Sequence, residues 1–600
     1  MKGLNNILVK GGFWGVAALF GVTACSDDHF DIQTAGPVGS KTIWQNIEEQ
    51  PQLDSLAMIL SRTVVMKDEN DQKSVLTYAE LLNQSQSFTV FAPLNGTYNA
   101  KQYIDLLNEA DNLMASGTEE GKAQALALRY TVSNQFAGNH IARFNYESNQ
   151  SAQDVRMLNS KLCEFNAGDK LFNGVSLSSD EYNASNGTMH VLNGQSPFRN
   201  NIYDFMENDS RFSDIYAYLS DPLIETREFS ESQSTQGAMN ENGEMIYVDS
   251  VYVTHNEVLD YCGALISNED SLYIAMIPTN EAWKEAIETL KPYLNYADEY
   301  GYDTQNRVVN NSYFGQTQTF TQEERDSLFE YNAKMMLAQS MFVNPSTFDG
   351  IDPSDSAAVI SHALSADSLI ATNYVIYYNP TPGQQNPIFN PAVPTRASNG
   401  YIFPLEHFKT DPRYVWMTET EFSPSGSYMF GQNLANYSTI TLTDANRNTE
   451  IEGAEDVDYI VRFEKSGSMS LYFGMPSNLL SGEYKISAVM APSAILLNYA
   501  ESEEAQDEEI EFDATIETDY NQTMGQRVTG LTVSPEKVDT VVLWENFKFE
   551  RAYYGLPEEV SSFPVLRLSL SPRYRNCNAL NIIQFIIEPA RPNEDTTEGE

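Results

Sequence analysis

Cysteine, histidine and basic residues are scarce in this 600-residue chain, and each scarcity closes off a class of chemistry. The chain has 4 Cys. Cys163, Cys262 and Cys577 stand far apart, too scattered and too odd in number for a disulfide framework, and they lack metal-ligand spacing. They are expected to pack as small buried hydrophobes. The 6 His are equally dispersed, and no H-E-x-x-H, no G-x-S-x-G and no phosphate-binding glycine loop occurs. Carboxylates are too abundant for any pair to single out a glycosidase, so no enzyme is expected and no cofactor is implied. With 36 Lys and Arg against 83 Asp and Glu, the net charge is −47, which excludes nucleic acid and anionic lipid as partners because both need a basic patch. Long apolar runs are also missing: Gly11–Val22 is too short and too glycine-rich to span a bilayer.

That short run is instead the core of a signal peptide, preceded by Lys2 and Lys10. Val22-Thr23-Ala24-Cys25 resembles a bacterial lipobox, in which the Cys thiol is diacylated and becomes the new N-terminus; the alternative is an ordinary secretory signal with an incidental Cys. Acyl chains anchor a soluble body to a bilayer without a spanning helix. Ser26, Asp27 and Asp28 resemble the surface-export signal of lipoproteins from Bacteroidetes-type bacteria, where the alternative is a solvated linker. The reading is residues 1–24 as leader and 25–40 as flexible tether, on a protein held at the outer membrane by lipid alone and exposed at the cell surface.

What the chain does contain is a duplication. Ser87–Ala100 (SFTVFAPLNGTYNA) returns as Ser271–Ala286 (SLYIAMIPTNEAWKEA), with Pro93, Asn95 and Tyr98 recurring as Pro278, Asn280 and Trp283. Each copy reads as an apolar strand containing Phe91 or Met276, a Pro that ends the ladder, and an Asn placed to cap the following helix. Upstream, Ile43-Trp44-x-x-Ile47 matches Ile202-Tyr203-x-x-Met206 at an offset of 159; downstream, Asn186–Leu192 matches Asn399–Leu405 at 213, with the central motif at 185. Order is preserved and the second copy is longer by insertions, so two homologous domains are predicted.

At these residues the pattern resembles tandem fasciclin-type (FAS1) domains: FTVFAPLN and YIAMIPTN are similar to the family's first signature, NGTMHVLNG and NGYIFPLEH to its second. The resemblance spans roughly Lys41–Phe408 and implies two wedges of β-sandwich with packed helices, serving adhesion or ligand binding without catalysis. Many animal members carry a Tyr-His pair that is here Tyr130-Thr131, so receptor binding of that kind is not transferred. His190 keeps a signature position within an apolar strand, where a satisfied core histidine is expected; Phe403 replaces it in the second copy.

Past residue 409 short apolar or alternating segments, divided by Gly, Pro, Asn and Ser, predict an antiparallel β-sandwich of jelly-roll kind over 409–592, with an acidic tail at 593–600. The fold class is therefore α+β, with FAS1-like domains at 41–199 and 200–408 followed by the sandwich. Asp444, Asn446, Asn448 and Glu455 have the spacing of a calcium loop, but Thr449 stands where Gly is needed and a strand precedes it, so a hairpin turn explains the same letters and no metal is assigned. Asn379–Arg396, rich in Pro, Asn and Gln, predicts a long exposed loop. Aromatics reach 12%, with 34 Tyr, and are expected mostly in cores. Function is read as capture of an extracellular glycan, peptide or matrix component, in association with an outer-membrane nutrient importer. The second reading is a structural envelope protein packed on partner subunits.

Overall fold

The computed structural model describes residues 39–66, 74–146, 153–239, 245–302, 316–353, 355–408, 410–427, 437–464, 469–500, 510–518, 526–560, 562–570 and 579–591. Cys25, Ser26, Asp27, Asp28, nearly all of the tether, Cys577, most of the acidic loop before Ile510 and the acidic tail lie outside them. The fold is α+β, and the chain divides into two compact units, Met1–Arg199 and Asn200–Glu600. Among the described residues no helix is long and apolar enough to cross a membrane.

The first unit has helices α1 (Ile43–Glu48), α2 (Asp54–Arg62), α3 (Tyr78–Leu81), α4 (Ala100–Ala115) and α5 (Glu119–Val132), and α1, α3 and α5 begin where the sequence supplies caps. Thr42 with Gln45 and Thr77 with Glu80 form reciprocal capping boxes, and Thr118 accepts the Gly121 amide. Pro51 opens a single 3₁₀ turn between α1 and α2, where its missing N–H costs nothing. The sheet has seven strands: β1 (Phe88–Pro93), β2 (Ile141–Arg143), β3 (Gln153–Arg156), β4 (Leu162–Asn166), β5 (Leu171–Phe172), β6 (Val175–Ala184) and β7 (Gly187–Leu192), in the order β2-β1-β7-β6-β5-β4-β3. β1 runs parallel to β7, from Phe88 opposite Gly187 to Pro93 opposite Leu192. Because both its faces are covered, every residue of β1 is buried and it reads as an unbroken apolar run. Its period of two sends Phe88, Val90 and Ala92 into the core of α1, α2 and α4, and Phe91 into a second core with Phe165 and Phe172.

The second unit repeats this arrangement. Its helices are α6 (Ile202–Asn208), α7 (Ser213–Leu219), α8 (Glu257–Cys262), α9 (Asn280–Leu290), α10 (Gln322–Gln339) and α11 (Ser356–Ser365). A two-stranded ribbon of β8 (Glu225–Met239) and β9 (Met245–Asn256) precedes α8. β10 (Tyr273–Pro278) is followed by the hairpins β11 (Glu299–Tyr302) with β12 (Gln316–Thr319), and β14 (Ser368–Ile370) with β15 (Ile376–Tyr378), on either side of β13 (Phe342–Val343). β16 (Thr395–Ala397) and β17 (Gly400–Leu405) complete a four-stranded sheet, β13-β10-β17-β16. β10 lies parallel to β17 with Tyr273 opposite Gly400 and Pro278 opposite Leu405, the register of β1 and β7. At both registers the glycine is obligatory: a Cβ on Gly187 would sit 1.8 Å from the Phe88 carbonyl oxygen, and one on Gly400 2.0 Å from that of Tyr273.

A matched set of asparagine bonds explains why the three sequence anchors travel together. Asn186 accepts the Ile43 amide at 2.8 Å and donates to the carbonyls of Leu82 and Gln84; Asn399 accepts the Ile202 amide at 2.9 Å and donates to Ile266 and Asn268. The motif asparagines correct the expectation that they cap the next helix. Asn95 instead accepts the Ser55 amide at the start of α2 (3.1 Å) and donates to the Pro51 carbonyl, while Asn280 accepts the Asp214 amide in α7 (3.0 Å) and donates to Ser210. Each satisfies the orphan N-terminal amides of a helix distant in sequence, which a local pattern cannot reveal. Thr279 caps α9, and Asn99 before α4 makes no side-chain cap.

The C-terminal segment contributes β18 (Thr420–Phe422), β19 (Tyr437–Thr441), β20 (Tyr459–Glu464), β21 (Met469–Gly474), β22 (Gly482–Ala491), β23 (Ile510–Glu517), β24 (Gln526–Val533), β25 (Asp539–Phe549), β26 (Val565–Leu570) and β27 (Ala579–Pro589). They form two antiparallel sheets, β19-β20-β27-β22-β25 with β18 added on β27, and β21-β26-β23-β24. Phe473 of one meets Phe463 and Phe585 of the other at ring distances of 5.5 and 4.8 Å. This segment and the repeat before it share one continuous core, so no compact unit ends at residue 408. Buried hydroxyls stitch the joint: Tyr300 donates to the Ala552 carbonyl at 2.5 Å, Tyr296 to Tyr554 at 2.8 Å and Ser562 to Gly301 at 2.6 Å.

Asn379–Arg396 is exposed as expected over Thr381–Gln385, but not throughout. Ile388 and Phe389, on a 3₁₀ turn, are buried, with the Phe389 ring 5.1 Å from Phe403 of β17. Asn379 and Asn386 satisfy the surrounding backbone, Asn379 through the carbonyls of Ala366 and Gln384 and Asn386 through the Ile388 amide. The polar letters therefore serve an apolar plug.

Candidate functional site

The motif residues singled out by the duplication are structural. Phe91 is fully buried, stacked on Phe172 at 3.6 Å, and Trp283 is buried on α9 beside Tyr218. Tyr98 is half-buried and stacks on Phe136 at 5.5 Å. Pro93 and Pro278 end β1 and β10. His190 is buried in β7; its Nε2–H donates to the Tyr146 carbonyl at 2.8 Å, Glu181 lies 3.4 Å from Nδ1, and Phe91 stacks on its face. Nε2 is thus satisfied inside the fold. Cys163 is buried on β4, and Cys262 is buried on α8, where its thiol donates to the Leu259 carbonyl and desolvation pushes its pKa up.

The Asp444–Glu455 stretch is a hydrogen-bonded turn. Asn446 accepts the Thr443 amide at 2.7 Å, Asn448 accepts that of Glu450 at 3.1 Å, and the Arg447 guanidinium donates to the Val457 carbonyl between them. The side-chain oxygens of Asn446 and Asn448 are thus given to backbone amides of the turn. Among the described residues no group of three or more His, Cys, Asp or Glu is placed to hold a metal ion.

What the duplication does not mark is a tyrosine face on the second unit. It is built on α8, α10 and the segment after β25. α8 opens with Asn256, whose side chain accepts the Leu259 amide, and buries Val258, Leu259 and Cys262. The opposite side therefore presents Glu257, Asp260 and Tyr261, with Tyr261 76% exposed. α10 buries its C-terminal half but turns Tyr331, 42% exposed, outward next to Glu330 and Lys334. Glu257 lies close enough to the Tyr331 hydroxyl to help burial raise its pKa, and Tyr218 and the half-buried Tyr554 are within electrostatic range of Tyr331. The Lys334 ammonium pairs with Glu330 at 2.6 Å and lies 5.9 Å from the Tyr218 ring centre. Burial, followed by neighbouring Tyr and acidic groups, raises the phenol pKa of Tyr218, and it pushes Tyr554 up to about 12. The hydroxyls are therefore protonated donors at neutral pH. Exposed Tyr rings beside a carboxylate offer flat apolar faces, hydrogen-bond donors and an acceptor in one place, a combination suited to holding a ligand.

Two clefts lie elsewhere. One of ≈ 210 Å³ in the first unit is walled by Met66, Met114, Leu126, Lys122 and Arg129. The other, of ≈ 360 Å³ in the second unit, is lined by Lys291, Asn295, Asp298, Gln322, Arg325 and Asp326. In the second, Arg325 is committed to the Phe320 carbonyl and Gln322, and charges of both signs meet.

No protein-family model and no curated protein matches the chain. Among solved structures, the Agl-KA catalytic domain aligns with 30% of this chain and 30% of its own length at 11% identity, with a TM-score of 0.17. At that score the likeness carries no argument about fold or activity.

Proposed function

We propose that this chain is a lipid-anchored, surface-exposed, non-catalytic binding protein of fasciclin type, with two FAS1-like units and a C-terminal jelly-roll-like sandwich. Its function is capture of an extracellular ligand, in association with an outer-membrane importer. The observation that carries the reading is the exposed tyrosine face around Glu257, where Tyr261 and Tyr331 are held outward on helices whose other sides are fixed in the core. The matched asparagine bonds of the two repeats support the family assignment, because they tie together the residues that carry the resemblance. Anchoring rests on Cys25, and Asp27 and Asp28 direct export.

Two measurements test this. Cys25→Ala should release the protein from the membrane fraction or leave it as precursor; mature-length protein still partitioning with membranes would refute the anchor. Tyr261→Ala with Tyr331→Ala should abolish retention of ligand by intact cells at unchanged Tm. The exposed Leu265, beside α8 and 49% accessible, also suits a permanent subunit contact in the envelope. Recovery of a stoichiometric complex without ligand, broken by the same substitutions, would favour that second reading.

A further inference from the structure

The face around Glu257 carries more charge of one sign than its ring count alone suggests. Glu257 and Asp260 belong to α8, Asp221 follows α7, and Glu330 lies on α10, all exposed. An ammonium and an imidazole are near. Lys334 is already paired with Glu330, and His255, on β9, lies 3.5 Å from Asp260. Glu257 faces the Tyr331 phenol closely enough to disfavour its ionisation. Phenol rings with a nearby carboxylate attract cations in two ways, through the ring quadrupole and through direct charge. The chain already demonstrates the first: its own Lys334 ammonium sits over the Tyr218 ring. A neutral sugar would leave the repulsion among these carboxylates unrelieved, and an acidic ligand would add to it.

We infer that this face binds a lysine- or arginine-bearing segment of an extracellular protein, one cationic side chain lying between the Tyr261 and Tyr331 rings against Glu257. The inference rests on the capture reading above and specifies its ligand. Binding of this kind needs no enclosed pocket, since the ring faces remain attractive when partly solvated. It depends on salt, because the charges are exposed.

The test measures fluorescence anisotropy of the full chain with a labelled lysine-containing peptide, its acetyl-lysine and trimethyl-lysine forms, and a labelled neutral oligosaccharide. The unmodified and trimethylated peptides should bind, the acetylated peptide should lose the charge and bind at least about tenfold more weakly, and added salt should weaken the first two. Tyr261→Ala combined with Tyr331→Ala, which changes no charge, should raise Kd about tenfold, and Glu257→Gln about fivefold. Tyr459→Ala, an exposed tyrosine on β20, should leave Kd unchanged. Peptide binding indifferent to the tyrosine substitutions would reduce the attraction to the chain's overall acidity and overturn the inference. Oligosaccharide binding lost in the tyrosine variants, with no preference for the charged peptide, would keep the capture reading and overturn its ligand class. Absence of binding by every probe would overturn both.

Discussion

The two repeats share a register and a set of asparagine bonds, yet they complete their cores differently. The first is self-contained: its sheet extends to seven strands and closes a second core of Phe91, Phe165, Phe172 and Leu192 on the far face. The main sheet of the second has four strands, and the apolar surface left open is covered by residues from beyond 408, including Trp416, which stacks on Phe408 and donates its indole N–H to Ser340. A duplicated motif can thus set the same local geometry twice without making the same kind of domain. Whether a repeat stands alone depends on what covers its second face.

The largest expected difference lies in truncation. A fragment of residues 41–199 should unfold in one cooperative transition, and it must extend past Gln195, because Ser196 gives its amide to His140 and Arg199 bonds Asn173. A fragment of residues 200–408 should lack a cooperative transition in calorimetry, its core being continuous with the later strands. A sharp melt from it would show that the two parts fold separately. Next in size, Trp283→Ala should cost about 3–5 kcal/mol in denaturant unfolding, chiefly through the cavity left under α9. The matching Tyr98→Ala should cost less, since Tyr98 is only half-buried. Deleting Gly383–Asn390 belongs in the same class, because it removes Ile388 and Phe389; a Tm unchanged by that deletion would contradict their burial.

The third effect separates the repeats by pH. His140 is fully buried, its Nδ1–H donating to the Phe136 carbonyl at 2.7 Å and its Nε2 accepting the Ser196 amide at 3.0 Å, so only the neutral ring fits. Desolvation lowers its pKa to about 4. The unfolded chain, with the ordinary value near 6.5, binds the proton first as acid is added. The first unit therefore has this stabilisation in full above about pH 6.5 and loses about 3 kcal/mol as pH falls toward about 4. Met341 takes the place of His140 in the second repeat, its carbonyl accepting the Met276 amide as that of His140 accepts Phe91. His140→Met should flatten the pH dependence of first-unit melting, and an unaltered profile would show that another group is responsible. Smallest is Tyr300→Phe, which strands the Ala552 carbonyl and the Ala297 amide at the joint and should cost about 1–3 kcal/mol, read in the second-unit transition alone.

Much of the architecture was legible because it rests on local rules. The apolar runs of β1 and β10 and the alternating segments after 409 write their geometry into neighbouring letters. The errors came where the partner is remote. Asn95 and Asn280 look like caps for the helix that follows, but they bond helices that precede them by tens of residues. Pro387-Ile388-Phe389 is a short apolar island in a polar stretch, and only the contact with Phe403 fills it with meaning. The tyrosine face was not legible at all: Tyr218, Tyr261, Tyr331 and Tyr554 have no common spacing, and their helix positions differ from core positions only by which side of the axis they occupy.

By itself, the sequence determined that the chain repeats, that each copy carries an apolar strand ended by a Pro, that β structure dominates its last third, and that its net charge is acidic. These follow from periodicity, the missing donor of proline and charge counts, which depend on near neighbours or on sums. The tertiary structure alone decided that the second repeat and the last strands form one body, that His140 is held neutral, and that Tyr331 of one helix comes to face Glu257 of another. Each of those depends on which distant surfaces exclude water from one another, and free energies of burial are set by contacts between segments that no local pattern records.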